Sequence, residues 1–271
     1  MLYLCPTPIG NMGDVTRRTI ETLSQCDAVY CEDTRRSGQL LAALGIKKPL
    51  ISCHEHNERT RADELAARLE KGEDIAYVSD AGMPGISDPG AVLAGECIRR
   101  GLEFTVLPGA SAVLTALVLS GLPPQPFTFV GFLPREGKER KDAIEGISKL
   151  YHSVVLYESP HRVCETLTEL FESLGDVRAA VVRELTKIYE TAERGTLSQL
   201  IERFREGTRG ECVIVVLPER DGQSDDAERL DRLLKLLLPH MSKKDAASIA
   251  ASELGTARNR AYKRALELDE E

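Results

Sequence analysis

The feature that most constrains this chain is a series of short, unbroken apolar stretches set between amphipathic ones. LYLC (2–5), AVYCED (28–33), LISCH (50–54), IAYVSD (75–80) and FTVLP (104–108) are apolar on consecutive positions instead of alternate ones. Strands covered on both faces have that pattern, and it predicts a parallel sheet with helices on either side. The segments between them supply the helices. NERTRADELAARLEKG places Ala62, Leu65, Ala66 and Leu69 on one face ahead of Gly72. DPGAVLAGECIRRG offers Asp88 as a cap, Pro89 in the first turn and Gly101 to close the helix. The first part of the chain is therefore a βαβ series.

At LSGLPPQPFTFV the series pauses. Gly121, Pro123, Pro124 and Pro126 form a stiff connector in which no helix can run, and a domain boundary is predicted there. Residues 1–121 are read as one α/β domain and 122–220 as a second. The second has strands at FTFVGF, SVVLYES, AAVVREL, ETAERGT and ECVIVVLP, with fewer helices and a mixed sheet. Its helix SPHRVCETLTELFESLG is read with Ser159 as cap, Pro160 in the first position, and Val163, Leu167, Leu170, Phe171 and Leu174 facing inward. After RDGQSDDAE, read as a polar linker, residues 221–271 are helical in pattern. One helix runs to Leu238, one is capped by Ser242, and a third follows a turn at Gly255, the outline of a helix-turn-helix.

The net charge of −8 over 271 residues argues against coating nucleic acid by bulk charge. The C-terminal piece departs from that balance. Between residues 243 and 264 stand six basic residues (Lys243, Lys244, Arg258, Arg260, Lys263, Arg264) against Asp245 and Glu253, a local excess of four positive charges. The start, MLYLCPTPIGN, has no basic leader and its apolar run is broken by prolines, so neither a signal peptide nor a membrane span is expected. The seven cysteines are scattered, form no C-x-x-C pair and mostly sit inside apolar runs, which predicts a reduced, cytoplasmic chain.

No G-x-x-x-x-G-K-[ST] loop occurs, and no G-x-G-x-x-G follows the first strand. Glycine-rich loops recur instead at the carboxyl ends of strands one, four and five: PTPIGN, SDAGMPGISDPG and LPGASA. In an open α/β sheet those ends face one crevice. Lacking lysine, the loops disfavour a triphosphate; with Gly82, Ala110 and Ala112 they suit a flat, weakly charged ligand such as a nucleoside. The HEH of 54–56 has no further ligand at metal spacing, and no metal is expected. CEDTRR carries Glu32, Asp33, Arg35 and Arg36 at the end of strand two, either as a salt-bridged turn or as a grip on a polar substrate. RELTKIYE sets Glu184 and Lys187 where they face a cleft, or form a structural ion pair at its rim.

PTPIGNMGDVTRR, CEDTRRS, SDAGMPGISDPG, LPGASA, GFLPREGKERK, YESPHR, RELTKIYE and RGECVIVV, in this order, resemble the tetrapyrrole methylase superfamily of S-adenosylmethionine (AdoMet)-dependent enzymes. More narrowly they resemble its branch that 2′-O-methylates a cytidine in the decoding region of small-subunit ribosomal RNA. The likeness runs from about residue 2 to 217, and the C-terminal helices resemble that branch's tail. It implies two α/β domains with AdoMet bound between them, a small helical C-terminal domain, and a homodimer.

The cofactor contacts implied are Pro8, Asp80, Gly82, Gly85, Ile86, Ser111 and Ala112 from the first domain, and Phe132, Leu133, Tyr157, Leu185 and Gly210 from the second. Where the branch has threonine in DAG-x-PG, this chain has Met83. For the proton of the acceptor hydroxyl the candidates are Glu184, Lys187, Glu32 and Asp33. For RNA, assembled into a subunit or free, they are Arg35; Arg135, Lys138, Arg140 and Lys141 on an expected mobile basic loop; and Arg258, Arg260 and Lys263. A tetrapyrrole methyltransferase, which the basic tail and loop disfavour, and a non-enzymatic nucleoside sensor, which product formation separates from both enzymes, remain as alternatives.

Overall fold

Leu2–Cys5 (β1), Ala28–Cys31 (β2), Leu50–Ser52 (β3), Ile75–Val78 (β4) and Phe104–Val106 (β5) form an all-parallel sheet in the order β3-β2-β4-β1-β5. The computed structural model describes residues 1–218, 222–254 and 256–268, with the backbone alone over 222–229. Every residue of β2 and β4 is buried, which is why these strands are apolar at consecutive positions. Leu2, Leu4, Tyr30 and Tyr77 point to one face, where Leu65, Leu69, Leu93 and Cys97 of Glu58–Glu70 (α3) and Ala91–Arg100 (α4) cover them. Cys5, Val29, Cys31, Ala76 and Val78 point to the other, covered by Leu23 of Arg17–Gln25 (α1) and Leu41 of Thr34–Ala43 (α2). Each fully buried leucine contributes about 1.5–3 kcal/mol of transfer free energy, so these two layers are the main source of stability of the sheet.

The helix Ala112–Ser120 (α5) starts from Ser111, whose side chain accepts the N–H of Leu114, and stops at Gly121 in the left-handed conformation. Although it precedes the proline connector, its inward residues Val113, Ala116 and Leu117 pack with Val155, Val182, Val213 and Val215 of a second sheet. That sheet consists of Phe127–Phe132 (β6), Ser153–Glu158 (β7), Arg178–Arg183 (β8), Thr191–Thr196 (β9) and Cys212–Val216 (β10), in the order β6-β7-β10-β8-β9. It is mixed, as expected: β6 and β7 are parallel and the remaining pairs antiparallel. Gly137–Ser148 (α6), Val163–Leu174 (α7) and Leu197–Arg203 (α8) cover its other face. Residues 1–217 form one compact unit.

Residues 218–271 form the second unit. Gly222–Leu237 (α9), Lys243–Leu254 (α10) and Arg258–Leu268 (α11) enclose a small core of Leu230, Leu234, Ala246, Ala247, Ala250, Ala261 and Ala265. Alanines at these positions let the helices approach closely. Ser242 accepts the N–H of Asp245 and caps α10 as the sequence suggests. The expected turn at Gly255 lies outside the described residues, as do residues 220 and 221 of the expected linker.

Several local expectations are corrected. α4 begins at Ala91 with Gly90, at φ 132°, as its N-cap; Asp88 does not cap it. α7 begins at Val163 after Arg162, because Ser159 accepts the Arg162 N–H in a separate turn, and Phe171 is substantially exposed instead of facing inward. Residues from 222 onward, read as linker, are helical. Of GFLPREGKERK, expected as a mobile basic loop, Gly131 and Phe132 end β6 and residues 137–141, with Lys138, Arg140 and Lys141, are the first turns of α6, which leaves Arg135 on the short connection. Arg140 on that helix is 3% exposed. Its guanidinium donates to Glu169 at 2.8 Å, to the Pro134 carbonyl at 3.0 Å and to Thr166 Oγ1 at 2.8 Å, so it is not presented to a phosphate.

Candidate functional site

Because β4, β1 and β5 are neighbours in the sheet, their carboxyl-end loops are neighbours too. Thr7 and Gly82 exchange backbone hydrogen bonds at 2.9 and 3.1 Å, tying PTPIGN to SDAGMPGISDPG. Gly109 lies against the Pro6 ring so closely that a Cβ there would overlap it, which brings LPGASA to the same place. The convergence expected from the sequence is present.

The loop after β4 is shaped by Gly82, Gly85 and Gly90, all at positive φ, and by Ser87 at φ 62°. A non-glycine residue in that region carries a cost of order 1–3 kcal/mol and is held there by its surroundings. Here the surroundings include the second sheet. Gly131, at φ 76° in the irregularity of β6, leaves room for Ser87, whose Oγ would stand 3.3 Å from a Cβ at that position.

Between the loop and the second sheet lies a cavity of about 400 Å³. From the first part of the chain it is lined by Ile9, Gly82, Met83, Ile86, Ser87, Asp88, Ser111 and Ala112. From the second come Phe132, Tyr157, Glu158, Ser159, Pro160, Glu211, Cys212 and Val213. Phe132 and Tyr157 meet edge to face at 5.5 Å and form an aromatic wall. Six of the expected contacts, Gly82, Ile86, Ser111, Ala112, Phe132 and Tyr157, thus stand around one space.

The other six lie elsewhere. Pro8 and Asp80 line an adjoining cavity of about 360 Å³ with Gly10, Arg36 and Gln39. Gly85 shapes the loop, donating its N–H to the Pro89 carbonyl at 3.1 Å. Leu133 and Leu185, each 6% exposed, belong to the cores on the two faces of the second sheet. Gly210, at φ 85°, makes room for the Glu184 side chain, which would collide with any Cβ.

Glu184 (φ 53°) and Thr186 (φ 64°) again hold non-glycine residues at positive φ. Glu184 Oε1 accepts Lys187 Nζ at 2.9 Å and the Glu211 N–H at 3.0 Å, while Lys187 also reaches Glu211 Oε2 at 2.8 Å. The Lys187 hydrogen bond comes first among the causes that hold the Glu184 carboxyl below its usual range. Burial works against the charge on Lys187, but hydrogen bonds to Glu211 and Glu184 outweigh it and its pKa is raised. A carboxylate and an ammonium, both ionised, therefore stand beside the lining residue Glu211. This strained loop abuts PTPIGN, since a Cβ at Gly10 would meet Lys187 Cγ at 2.6 Å and Leu185 O at 2.9 Å.

CEDTRR divides in two. Asp33 caps α2, accepting the Arg35 N–H at 2.8 Å, and hydrogen bonds from the exposed Arg35 guanidinium lower its pKa to about 2. Its oxygens are thereby committed to the turn. Glu32 is the opposite case: its Oε2 is buried without a partner, and burial followed by the nearby Asp80 carboxylate raises its pKa. Asp80 accepts the Asp33 N–H at 3.2 Å and Arg36 at 3.1 Å.

Sequence reasoning missed Asp88, Glu158 and Glu211 as lining groups. Asp88 is pushed up to about 6, first by burial and then by the Glu32 and Asp80 carboxylates, with the Ser79 hydroxyl opposing. Glu158 is 6% exposed and faces Cys212 across the antiparallel β7–β10 pair. Asp88 and Glu158 sit in ISDPG and YESPHR, the first read as a helix cap and the second explained in part by capping at Ser159. His54 and His56 stack edge to face at 5.9 Å, and among the described residues no group of three His, Cys, Asp or Glu is placed to hold a metal.

Residues 1–201 match the family Tetrapyrrole (Corrin/Porphyrin) Methylases, and residues 223–269 match the RsmI C-terminal HTH domain. The chain is 41% identical to a Haemophilus influenzae protein named ribosomal RNA small subunit methyltransferase I, over 97% of this chain and 95% of that one. A Bacillus subtilis protein of the same name is 46% identical over 84% and 79%. Among solved structures, diphthine synthase superposes with a TM-score of 0.65 at 15% identity, covering 80% of this chain and 89% of that one. Uroporphyrin-III-C-methyltransferase from Thermus thermophilus gives 0.55 at 20%, covering 79% and 93%. At such identities these two speak for the fold alone. The glycine loops, the two sheets and the helical C-terminal unit accord with the sequence matches, and the chain belongs to the tetrapyrrole (corrin/porphyrin) methylase family, in the branch of the ribosomal RNA small subunit methyltransferase I proteins.

Proposed function

We propose that this protein methylates small-subunit (16S) ribosomal RNA, transferring a methyl group from AdoMet to the ribose 2′-hydroxyl of a cytidine in the decoding region, and that it does so in the cytoplasm as a homodimer. The observation that carries the reading is the likeness to the rRNA methyltransferases over nearly the whole chain, the C-terminal helices included. The cavity fits the donor. Its volume of about 400 Å³ lies in the range of small-molecule sites, its aromatic wall suits a purine, and Gly82, at φ 80°, gives its loop a turn that a side chain would strain against Ile9. When bound there, AdoMet supplies a methyl group activated by its sulfonium.

The chain's own residues align, shield and handle a proton. Phe132, Tyr157 and Ile86 present apolar surface to the cavity, while the Ser111 hydroxyl offers a polar contact. Glu184 is ionised and takes the proton leaving the acceptor hydroxyl, and Lys187 holds that carboxylate in place and favours the developing alkoxide. Glu32 is the second candidate acceptor, since a buried oxygen without a partner is free to receive a proton. Asp33 serves the turn. Exposed Arg135 ahead of α6, Lys138 and Lys141 on it, Arg35 on α2, and Arg258, Arg260 and Lys263 on α11 contact RNA phosphates.

The test is transfer of labelled methyl from AdoMet to small ribosomal subunits, protein-free rRNA and a tetrapyrrole, assayed side by side. Incorporation into either RNA form supports the reading; incorporation into the tetrapyrrole alone replaces it. Donor binding without transfer to any acceptor leaves a nucleoside sensor.

A further inference from the structure

Among the described residues that line the main cavity, three carry carboxylates, Asp88, Glu158 and Glu211, and none is lysine, arginine or histidine. Two of the three have their charge met within the protein. Glu211 is paired with Lys187 at 2.8 Å. Glu158 accepts the Ser159 N–H at 2.8 Å and the Thr166 hydroxyl at 2.6 Å, and Thr166 in turn takes a hydrogen bond from Arg140. Among the described residues none sets a cation beside Asp88. The groups that act on its charge are the Glu32 carboxylate at the end of β2, Asp80 at the end of β4 and the Ser79 hydroxyl. Asp80 is itself engaged by Arg36. Tyr77 on β4 and Tyr157 on β7 feel the Asp88 charge, and Glu58 of α3 is bound to the N–H of Gly90 two residues away. Ser87 is held at positive φ immediately before Asp88, so the backbone that delivers this carboxylate to the cavity is over-determined by its surroundings.

A half-buried carboxylate with acidic neighbours and no counterion is a poor arrangement for an empty protein and a good one for a cationic ligand. We propose that Asp88 is a charge-selecting residue, which makes the cavity favour the cationic methyl donor over the neutral thioether product that remains after transfer. The inference rests on the reading of the cavity as the AdoMet site. In the transfer the methyl leaves without its bonding electron pair, which stays on sulfur, and a new carbon–oxygen bond forms as the hydroxyl gives up its proton. The sulfur-containing partner thereby loses one positive charge. Across a cavity of this size a unit charge is within a Debye length of Asp88 wherever it sits. The carboxylate therefore holds AdoMet more firmly than S-adenosylhomocysteine (AdoHcy), and product departs more readily.

By linkage, whatever Asp88 adds to donor affinity, the donor adds to the acidity of Asp88. Protonation of Asp88 near pH 6 removes the preference, so donor affinity falls as pH is lowered while product affinity does not follow it. The experiment is calorimetric binding of AdoMet and of AdoHcy to the full chain from pH 5 to pH 8, with wild type and Asp88→Asn. The expected result is a preference for AdoMet that shrinks about tenfold between pH 7.5 and pH 5 in wild type, and that is already reduced and pH-independent in D88N. Equal responses of the two ligands to pH in wild type overturn the inference even if D88N does not fold. Binding of neither ligand at any pH defeats the AdoMet reading of the cavity, and the inference with it.

Discussion

The buried carboxylate of Glu58 accepts the backbone N–H of Gly90 at 2.7 Å. Gly90 is the N-cap of α4 and has no side chain to offer, so the first residue of α3 supplies an acceptor at the end of the glycine-rich loop. Glu58→Ala leaves that N–H buried and unpaired and is expected to destabilise the protein by about 2 kcal/mol, read from the denaturant midpoint. Glu58→Gln keeps an acceptor and costs less than half as much. Equal losses in both variants would remove the hydrogen bond from the account.

Arg140 gives a second prediction because it is a charged residue placed where an apolar one is usual. Arg140→Ala strips Thr166 and Glu169 of a donor and is expected to cost about 3 kcal/mol of stability, whereas Lys138→Ala and Lys141→Ala stay within about 0.5 kcal/mol. The two lysine variants, if they serve RNA, weaken its binding instead. Thermal and denaturant melts of the three proteins decide the matter.

At the rim of the cavity, Lys187→Met or Glu184→Gln is expected to lower methyl transfer by about 10²-fold while donor affinity stays within about twofold. Gly210→Ala acts on the same pair from behind, since the new methyl occupies the place of the Glu184 side chain. Single-turnover kinetics with donor binding measured in parallel give the answer. Full turnover in both charge variants would make the pair structural.

Asp88 carries a stability cost that runs opposite to the usual carboxylate. Its folded pKa of about 6 exceeds the unfolded value, so the folded state binds the extra proton, and stability falls as pH rises from roughly 4 to 6 and levels off above. Discounted for partial exposure to solvent, the cost is about 1–2 kcal/mol. Asp88→Asn is therefore expected to be more stable than wild type at pH 7.5 and no more stable at pH 4, by urea melts at the two pH values.

The helical C-terminal unit yields a prediction in salt. Arg258, Arg260 and Lys263 are exposed on α11, while Arg264 is tied to Asp231 at 2.6 Å and Glu267 at 2.9 Å. Replacing the three exposed residues with alanine should weaken RNA binding and reduce the slope of log K against log salt by about 2. The same three changes with an unaltered slope would make α11 a stability or interaction element.

What the sequence made legible were features written in local pattern. Consecutive apolar residues in AVYC and IAYV placed the central strands, Gly101 closed its helix, and three glycine loops led to one cavity. Arg140 was misread because a run of charged residues suggests a surface, yet Arg140, Ile144 and Ile147 are spaced as one helix face, and that periodicity was the available signal. Asp88 and Ser159 were assigned to capping because an acidic or hydroxyl residue before proline fits that role. Whether the backbone takes a positive φ or an extra turn at such a site depends on packing from the other sheet. Glu158, Glu211 and Cys212 reach the cavity through antiparallel pairing between strands more than fifty residues apart, and no short stretch of sequence displays such a register.

The central claim is the chemistry on RNA, and mapping the modified nucleoside tests it most directly. Small subunits and protein-free rRNA are incubated with the full chain and methyl-labelled AdoMet, digested to nucleosides and resolved by mass. The account predicts a label in 2′-O-methylcytidine that accumulates far more slowly, by about 10²-fold, when Lys187→Met replaces the wild type. A label on a base, or none in either RNA form while AdoMet binds the protein, would contradict it.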